Sequence, residues 1–228
     1  MSETAVVLAG GLGSRLGHYT EDTPKSLLPI GNRPMIEIVI TQLKEAGFTR
    51  IVLAVRHFSE AIRAFCMDGS QWGISIEYVQ EKEPLGTIGP IKQIQSLPED
   101  FLIINSDILT DLDLACFFAQ HKKSGHLFTV AYFEHQEKCS YGVLEIENQR
   151  LVGFEEKPIF HYSVSMGVYA ANRKVLELIP ANQLYGFDHL IEKLLRQNRS
   201  VGAVQHKGMW LDIGSIESYE KAFALELV

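Results

Sequence analysis

The sequence predicts an α/β fold in which a parallel sheet is covered by helices on both faces. The first observation is a series of short apolar or alternating segments typical of strands, most clearly the wholly apolar run over residues 5–9. The second is that amphipathic segments separate these strands at the spacing of strand–helix–strand units. Such alternation implies right-handed crossovers and therefore parallel strands.

The first half of the chain carries this alternation. Its predicted strands cover residues 5–9, 51–55, 74–79 and 101–104. Its predicted helices cover residues 34–43, residues 59–67 and a stretch after Gly86. Pro34 suits the first position of a helix, Ser59 suits a helix cap, and Gly47 suits a helix stop.

The second half changes rhythm and is expected to extend the sheet into a mixed one. Its predicted strands cover residues 126–133, 142–146, 150–154, 165–170, 201–205 and 209–211. Its predicted helices cover residues 112–123, 172–179, 187–197 and the segment from Ser215. No internal repeat, low-complexity tract or Gly/Ser linker divides the chain, so we predict one domain over residues 1–228.

Composition and charge exclude several classes of protein. With 46% hydrophobic and 21% charged residues, the chain can bury a core and is not of the disordered class. No apolar run approaches the ~18 residues of a membrane span, and the first residues lack the basic segment of a secretory signal. The formal net charge of -7 argues against a nucleic-acid partner. Cys66, Cys116 and Cys139 form no C-x-x-C pair. We therefore predict a cytoplasmic protein without a membrane partner.

A glycine-rich loop directly follows the first predicted strand. In the segment 10–17, glycines allow a backbone turn with positive φ and bring bare N–H groups against phosphate oxygens. Arg15 adds a fork of donors that suits a polyphosphate, and Lys25, farther along the same long connection, adds a point charge. The alternative is a strand-to-helix turn with solvated cations. The length of the connection and its cations favour a phosphate site.

Two common nucleotide motifs fit this loop badly. A P-loop requires a glycine directly before its lysine, and none precedes Lys25. The dinucleotide fingerprint requires a third glycine where Leu16 stands and an acid near the end of the second strand, where Arg56 stands. Because an arginine there suits a 2′-phosphate, an NADP-binding oxidoreductase stays open as a lesser alternative.

Two aspartates predict a metal site beside this loop. Asp107 ends a buried strand, and Asp212 follows a short apolar segment near the other end of the chain. Taken singly, each suits a helix cap or a turn. Two carboxylates that converge on a polyphosphate describe a Mg²⁺ site, because Mg²⁺ prefers one or two carboxylates plus phosphate oxygens. We therefore predict Mg²⁺ as a cofactor.

Several motifs together resemble a known family. They occur in order along nearly the whole chain, over residues 8–16, 23–30, 83–87, 105–107, 141–143, 156–158, 167–169 and 210–214. In this set, Leu-Ala-Gly-Gly-Leu-Gly-Ser-Arg-Leu and Thr-Pro-Lys-Ser-Leu-Leu-Pro-Ile are the longest. The chain resembles the sugar-1-phosphate nucleotidyltransferases, and its Pro-Leu-Gly-Thr segment is similar to that of the mannose-1-phosphate guanylyltransferase branch.

The resemblance implies a Rossmann-like three-layer sandwich with a mostly parallel mixed sheet. It also implies transfer of a nucleoside monophosphate from an NTP to a sugar 1-phosphate, with Arg15, Lys25 and Asp107 catalytic and with Mg²⁺ on Asp107 and Asp212. The implied nucleotide-binding residues are Leu8, Ala9, Gly10, Gly11, Gly13, Ser14, Gln80, Pro84, Gly86 and Thr87. The implied sugar-phosphate residues are Tyr141, Gly142, Glu156, Lys157, Ser165 and Gly167.

The resemblance favours GTP, with a mannose, heptose or related hexose 1-phosphate as the acceptor. Ser165 departs from the family, which usually has Asn two residues before the glycine of this motif. Serine has a shorter reach and no amide donors, so it replaces only part of such a contact. An altered sugar is the expected consequence, and an inactive paralogue that binds an NDP-sugar is the alternative. Relatives are often dimers or tetramers, so a homo-oligomer stays open.

Overall fold

The structure is a computed structural model that describes residues 3–224. The strands are β1 (Glu3–Leu8), β2 (Pro29–Ile30), β3 (Arg33–Pro34), β4 (Phe48–Val55), β5 (Ser75–Gln80), β6 (Asp100–Asn105), β7 (Ile108–Thr110), β8 (Phe128–Lys138), β9 (Gly142–Glu147), β10 (Arg150–Glu156), β11 (Ile159–Asn172), β12 (Val201–His206) and β13 (Trp210–Asp212). The α-helices are α1 (Met35–Glu45), α2 (Ser59–Cys66), α3 (Leu114–Ser124), α4 (Phe187–Arg196) and α5 (Ile216–Ala224). Residues 1–2 and 225–228, which the one-domain prediction includes, lie outside the described residues.

A seven-stranded mixed sheet has the order β12-β8-β11-β6-β1-β4-β5. The pairs β6–β1, β1–β4, β4–β5 and β12–β8 are parallel, and β11 is antiparallel to both of its neighbours. The predicted α/β fold with a mostly parallel mixed sheet is therefore confirmed. Because β1 has β4 on one side and β6 on the other, the strand order reverses at β1, where such sheets bind ligands.

Helices cover both faces of this sheet, because alternate residues of β1 belong to different apolar clusters. Ala5 and Val7 pack in a cluster that includes residues of α1, α2 and α3. Val6 packs in a second cluster that includes Leu190 and Leu194 of α4. This two-sided burial explains why residues 5–8 of the strand are all apolar.

A third apolar cluster lies beneath the glycine loop. Leu16, in the 3₁₀ helix Ser14–Thr20, packs with Ile213 and with Tyr219 of α5. The Tyr219 hydroxyl donates a hydrogen bond of 2.9 Å to the backbone oxygen of Pro29. The last described helix therefore supports both the glycine loop and the segment that carries Asp212.

Two predicted helices are 3₁₀ helices instead. The helix predicted after Gly86 is confined to Gly89–Gln93, and the one predicted over 172–179 is Arg173–Leu178. In the first, the carbonyl oxygen of Tyr185 accepts hydrogen bonds from the N–H groups of Ile88 and Gly89, both at 3.2 Å. Pro90 has no N–H to donate. The Tyr185 oxygen thus satisfies the free N–H groups at the start of this short helix.

The strands predicted between residues 126 and 170 are present, and two of them, β8 and β11, are longer than predicted. The segment predicted as a strand over 165–170 belongs to β11, which has 14 residues. Residues 159–165 of β11 pair with β8 but not with β6, so this part of the two strands extends past the rest of the seven-stranded sheet. Strands β9 and β10 form a separate two-stranded sheet between them. Among residues 3–224, no helix combines the length and the apolar composition that crossing a bilayer requires.

His121 of α3 is a buried titratable group. Its side chain is 1% exposed, its Nδ1 lies 2.7 Å from Thr129 Oγ1, and its Nε2 lies 3.6 Å from Asp100 Oδ1. Burial lowers the pKa of His121, the Asp100 carboxylate partly opposes this, and the charge of His126 lowers the pKa further. His121 therefore becomes protonated at a lower pH in the folded chain than in the unfolded chain. Histidines of an unfolded chain titrate at about pH 6.5.

We expect the free energy of unfolding to fall as the pH drops below about 6.5. His121 contributes at most ~1.4 kcal/mol per pH unit to this slope, because the unfolded chain binds one proton that the folded chain does not. Urea denaturation between about pH 5 and pH 7 measures it. His121→Gln should flatten the slope, whereas His135→Gln, at an exposed position of β8, should not. An unchanged slope in His121→Gln would contradict the prediction.

Candidate active site

A cavity of about 460 Å³ lies at the carboxyl ends of β6, β1, β4 and β5. It includes Arg15, Lys25 and Asp107, the three residues predicted as catalytic, and every residue predicted to bind the nucleotide except Gln80. Arg56, the residue of the NADP alternative, also lines the cavity. The other lining residues were given no role in the predicted site, and they are Leu12, Ser26, Ala54, Glu81, Pro90, Asn105, Ser106, Leu184 and Gly214. The structure therefore brings two of the predicted groups of residues together at one site, where their roles stay predictions.

The glycine loop forms one wall of this cavity because Gly13 has no side chain. Gly13 has a φ of 66°, and a Cβ there would lie 2.9 Å from Thr20 Cγ2 and 3.1 Å from Lys25 Cβ. Both the positive φ and the close approach require glycine. The loop is thereby packed directly against Lys25.

Two cations and two carboxylates meet at one end of the cavity. The Lys25 ammonium donates a hydrogen bond to Asp107 Oδ2 and forms an ion pair with it. A Cβ on Gly214 would lie 3.0 Å from Arg15 Nη2 and 3.3 Å from Asp212 Oδ1, so both side chains flank the same glycine. The four charges balance formally, which keeps this cluster near neutrality.

Asp212 reaches this cluster through a short antiparallel pair of strands. Asp212 of β13 pairs with Ile108 of β7, and the next residue, Ile213, donates its N–H to the backbone oxygen of Asp107 at 3.0 Å. Asp212 does not line the cavity itself. Desolvation by the surrounding protein atoms and the negative charge of Asp107 raise the pKa of Asp212, and the positive charges of Lys25 and Arg15 oppose this shift. The two aspartates are therefore close enough to interact electrostatically.

The start of β13 is anchored by Asp111, which follows β7. Asp111 Oδ1 accepts hydrogen bonds from the Met209 N–H at 2.6 Å and from His206 Nε2 at 2.8 Å. A Cβ on Gly208 would crowd this oxygen, so glycine leaves room for the carboxylate there. These bonds fix the position of the strand that carries Asp212.

Glu81, rather than Gln80, lies in the cavity at the end of β5. The Glu81 carboxylate is buried, and its Oε2 accepts the Leu85 N–H at 3.0 Å. Its Oε1 lies 3.0 Å from the position that a Cβ on Gly10 would take. Burial raises the pKa of Glu81, which the Leu85 hydrogen bond and the charge of Arg56 oppose. The amide of Gln80 instead donates to Ser59 Oγ at 3.0 Å.

The segment of Leu184 and Tyr185, which was not predicted to belong to the site, completes this end of the cavity. Gly86 has a φ of 79°, and a Cβ there would lie 2.6 Å from the backbone oxygen of Tyr185. Tyr185 in turn donates its N–H to the Leu85 oxygen at 2.8 Å. This contact brings Leu184 into the lining, and nothing in the local sequence pattern indicates it.

None of the six predicted sugar-phosphate residues lines this cavity. Four of them meet at the base of the β9–β10 hairpin, where Glu156 pairs with Gly142 and the Lys157 N–H donates to the Tyr141 oxygen at 3.2 Å. The side chains of Glu156 and Lys157 are 60% and 58% exposed. Both charges are therefore available to a ligand at the hairpin base.

The other two predicted sugar-phosphate residues lie on β11. Gly167 has a φ of 75°, and a Cβ there would lie 2.6 Å from Nδ2 of Asn105, a residue of the cavity wall. Ser165 Oγ donates a hydrogen bond to the Tyr169 hydroxyl at 2.9 Å. Tyr169 is buried and stacks on Phe187 with ring centroids 4.0 Å apart. The Ser165 hydroxyl is thus bonded to the protein, and its contact with a sugar stays a prediction.

A glycine-lined cavity with two cations at the switch point of a mostly parallel sheet is typical of a nucleotide-binding α/β protein. The family model described as "Nucleotidyl transferase" matches residues 4–227. The chain belongs to this family.

Curated relatives cover nearly the whole chain. It is 33% identical to the probable mannose-1-phosphate guanylyltransferase 1 of Oryza sativa subsp. japonica, over 98% of this chain and 64% of that protein. It is 32% identical to the D-glycero-alpha-D-manno-heptose 1-phosphate guanylyltransferase of Aneurinibacillus thermoaerophilus, over 96% of each. It is 30% identical to a UTP–glucose-1-phosphate uridylyltransferase of Synechocystis, over 96% of this chain and 62% of that protein. The chain thus spans less than two thirds of the first and third relatives.

Solved structures share the fold. HddC from Yersinia pseudotuberculosis superposes with a TM-score of 0.75 at 26% identity, over 98% of this chain and 99% of that one. The same protein was also solved in complex with GMP-PN. A putative glucose-1-phosphate thymidylyltransferase from Bacillus anthracis gives a TM-score of 0.80 at 23% identity, over 98% and 95% of the two chains.

Proposed function

We propose that this chain transfers a nucleoside monophosphate from an NTP to a sugar 1-phosphate, and that GTP is the favoured nucleotide. The observation that carries the proposal is the meeting of Lys25, Arg15, Asp107 and Asp212 beside the glycine loop. The relatives named above act on sugar 1-phosphates with GTP or UTP. One catalytic domain over residues 1–228 is part of the proposal.

The geometry supports one extended nucleotide across the sheet. Asp107 follows β6 and Glu81 follows β5, and β1 and β4 lie between these strands. Three interstrand spacings of about 4.8 Å separate the ends of β6 and β5 by roughly 14 Å along the sheet edge. This span suits a base at the Glu81 end and phosphates at the Lys25 end.

The mechanism needs no protein nucleophile. A phosphate oxygen of the sugar 1-phosphate attacks the α-phosphorus of the NTP, and pyrophosphate leaves from the opposite side. Lys25 and Arg15 neutralise charge on the phosphates, and Lys157 holds the phosphate of the sugar. Fixed cations of this kind act by positioning and by stabilising the charge of the transition state.

Asp107 and Asp212 suit a Mg²⁺ ion by the chemistry of their donors. Two carboxylates together with phosphate oxygens are what this ion prefers. Among residues 3–224, no group of three or more His, Cys, Asp or Glu side chains could hold a metal, so the remaining ligands would come from the nucleotide and water. When bound, Mg²⁺ supplies positive charge at the phosphate oxygens.

The Glu81 carboxylate supports the choice of guanine. Guanine presents two adjacent donors, N1–H and the N2 amino group, and a carboxylate accepts from both. Uracil presents a single N–H flanked by two carbonyl oxygens, which a carboxylate repels. Burial of Glu81 strengthens this discrimination, because water does not screen the contact.

Pyrophosphate release tests the proposal. The protein is incubated with Mg²⁺, one of ATP, CTP, GTP, UTP or dTTP, and one of mannose, heptose or glucose 1-phosphate. Release is expected only when an NTP and a suitable sugar phosphate are both present, and fastest with GTP. Folded protein that turns over no pair would overturn the proposal. Tight binding of an NDP-sugar without exchange of labelled pyrophosphate would indicate a non-catalytic binding protein instead.

A further inference from the structure

Ser26 lies in the cavity wall with an unpartnered hydroxyl. It is the middle residue of the 3₁₀ helix Lys25–Leu27 and is 3% exposed. Its Oγ has no hydrogen-bond partner among the described residues. A buried hydroxyl without a partner is destabilising, and such groups in folded proteins call for an explanation.

Among residues 3–224, two other buried side-chain atoms lack a hydrogen-bond partner, but they lie elsewhere in the fold. These are Gln42 Oε1 and His121 Nε2, and neither residue lines the cavity. Ser26 does line it, directly after Lys25. The missing partner of Ser26 is therefore expected to come from whatever occupies the cavity.

The surroundings of Ser26 indicate an anionic partner. The preceding residue, Lys25, pairs with Asp107 and packs against Gly13 of the glycine loop. A hydroxyl is both donor and acceptor, and next to an ammonium it donates to an oxygen that carries negative charge. We propose that Ser26 is a phosphate-binding residue whose hydroxyl donates to an oxygen of the triphosphate. The inference rests on the proposed function.

Ser26→Ala separates this role from a structural one. In the free protein, the variant removes an unsatisfied buried group, so the thermal midpoint is expected to stay equal or rise. The affinity for a triphosphate is expected to fall about tenfold, because the variant loses a hydrogen bond to a charged group. Ser26→Cys, with similar volume and a weaker donor, should weaken affinity in the same direction.

Isothermal titration calorimetry with inorganic triphosphate and with GTP, both with Mg²⁺, measures the effect without catalysis. Inorganic triphosphate tests the phosphate contact independently of the base. The control is Thr129→Val, which removes a buried hydroxyl that is bonded to His121 outside the cavity. We expect the control to lower stability and to keep both affinities.

The outcomes are distinguishable from those of the proposed function. An equal loss for triphosphate and GTP in Ser26→Ala supports the inference. Unchanged affinities, a loss for GTP alone, or a wild-type protein that does not bind triphosphate would overturn it. If the wild type binds triphosphate but not GTP, the proposed nucleotide fails while the Ser26 comparison still decides the inference.

Discussion

Asp107→Asn is expected to lower kcat/KM by about 10²–10³-fold, the effect of losing one preorganised electrostatic group. Asp107 forms the ion pair with Lys25 and is one of the two proposed Mg²⁺ ligands. Asparagine keeps the shape but removes the charge, so Lys25 loses its partner and the proposed metal site keeps a single carboxylate. Steady-state pyrophosphate release at several Mg²⁺ concentrations measures the loss.

A double variant tests whether the two aspartates act as one unit. If they share an ion, Asp212→Asn should also lose activity, and the double variant should be little worse than either single variant. Asp68→Asn is the matched control, since this exposed carboxylate caps the Ser70 N–H at 3.0 Å away from the cavity. Additive losses, or near wild-type activity of Asp107→Asn, would contradict the shared site.

Glu81→Gln is expected to change the choice of nucleotide. The glutamine N–H₂ group is a donor, and it would face a donor of guanine. The same side chain offers one donor and one acceptor, which together complement the carbonyl oxygen and N–H of one edge of uracil. The ratio of kcat/KM for GTP to that for UTP should fall about 10²-fold, because hydrogen bonds to a buried charged group are lost and an unpaired donor is gained. The measurement uses both nucleotides with the same sugar 1-phosphate.

Glu83→Gln provides the control for this change. Glu83 is exposed, lies two residues farther along, and does not line the cavity. The same substitution there should keep the ratio. A Glu81→Gln variant with an unchanged ratio would show that other groups, such as backbone amides near Gly86, choose the base.

The central strands could be predicted because they are buried on both faces. Parallel strands of this kind are continuous apolar runs, so β1, β4 and β6 stand out in the sequence. The rule that ligands lie beyond the carboxyl ends of such strands then led to the glycine loop and to Asp107. The cavity contains both.

The features that were missed depend on contacts between distant parts of the chain. Strand β7 is three residues long and pairs with β13, about a hundred residues away, so no local pattern indicates it. Gln80 was predicted to face the nucleotide, but its neighbour Glu81 lines the cavity instead. Successive side chains of a strand point to opposite faces, so an error of one residue at the strand end selects the wrong side chain. The orphaned hydroxyl of Ser26 is visible only once its neighbours are placed.

The support that α5 gives to the glycine loop has a consequence for biosynthesis. Leu16 belongs to the early part of the chain, yet it is covered by Ile213 and Tyr219, and Asp212 lies in the same late segment. A nascent polypeptide that ends before residue 210 lacks both this cover and one of the two acidic side chains. The cavity and its acidic cluster are therefore completed only after the segment from residue 210 onward has left the ribosome.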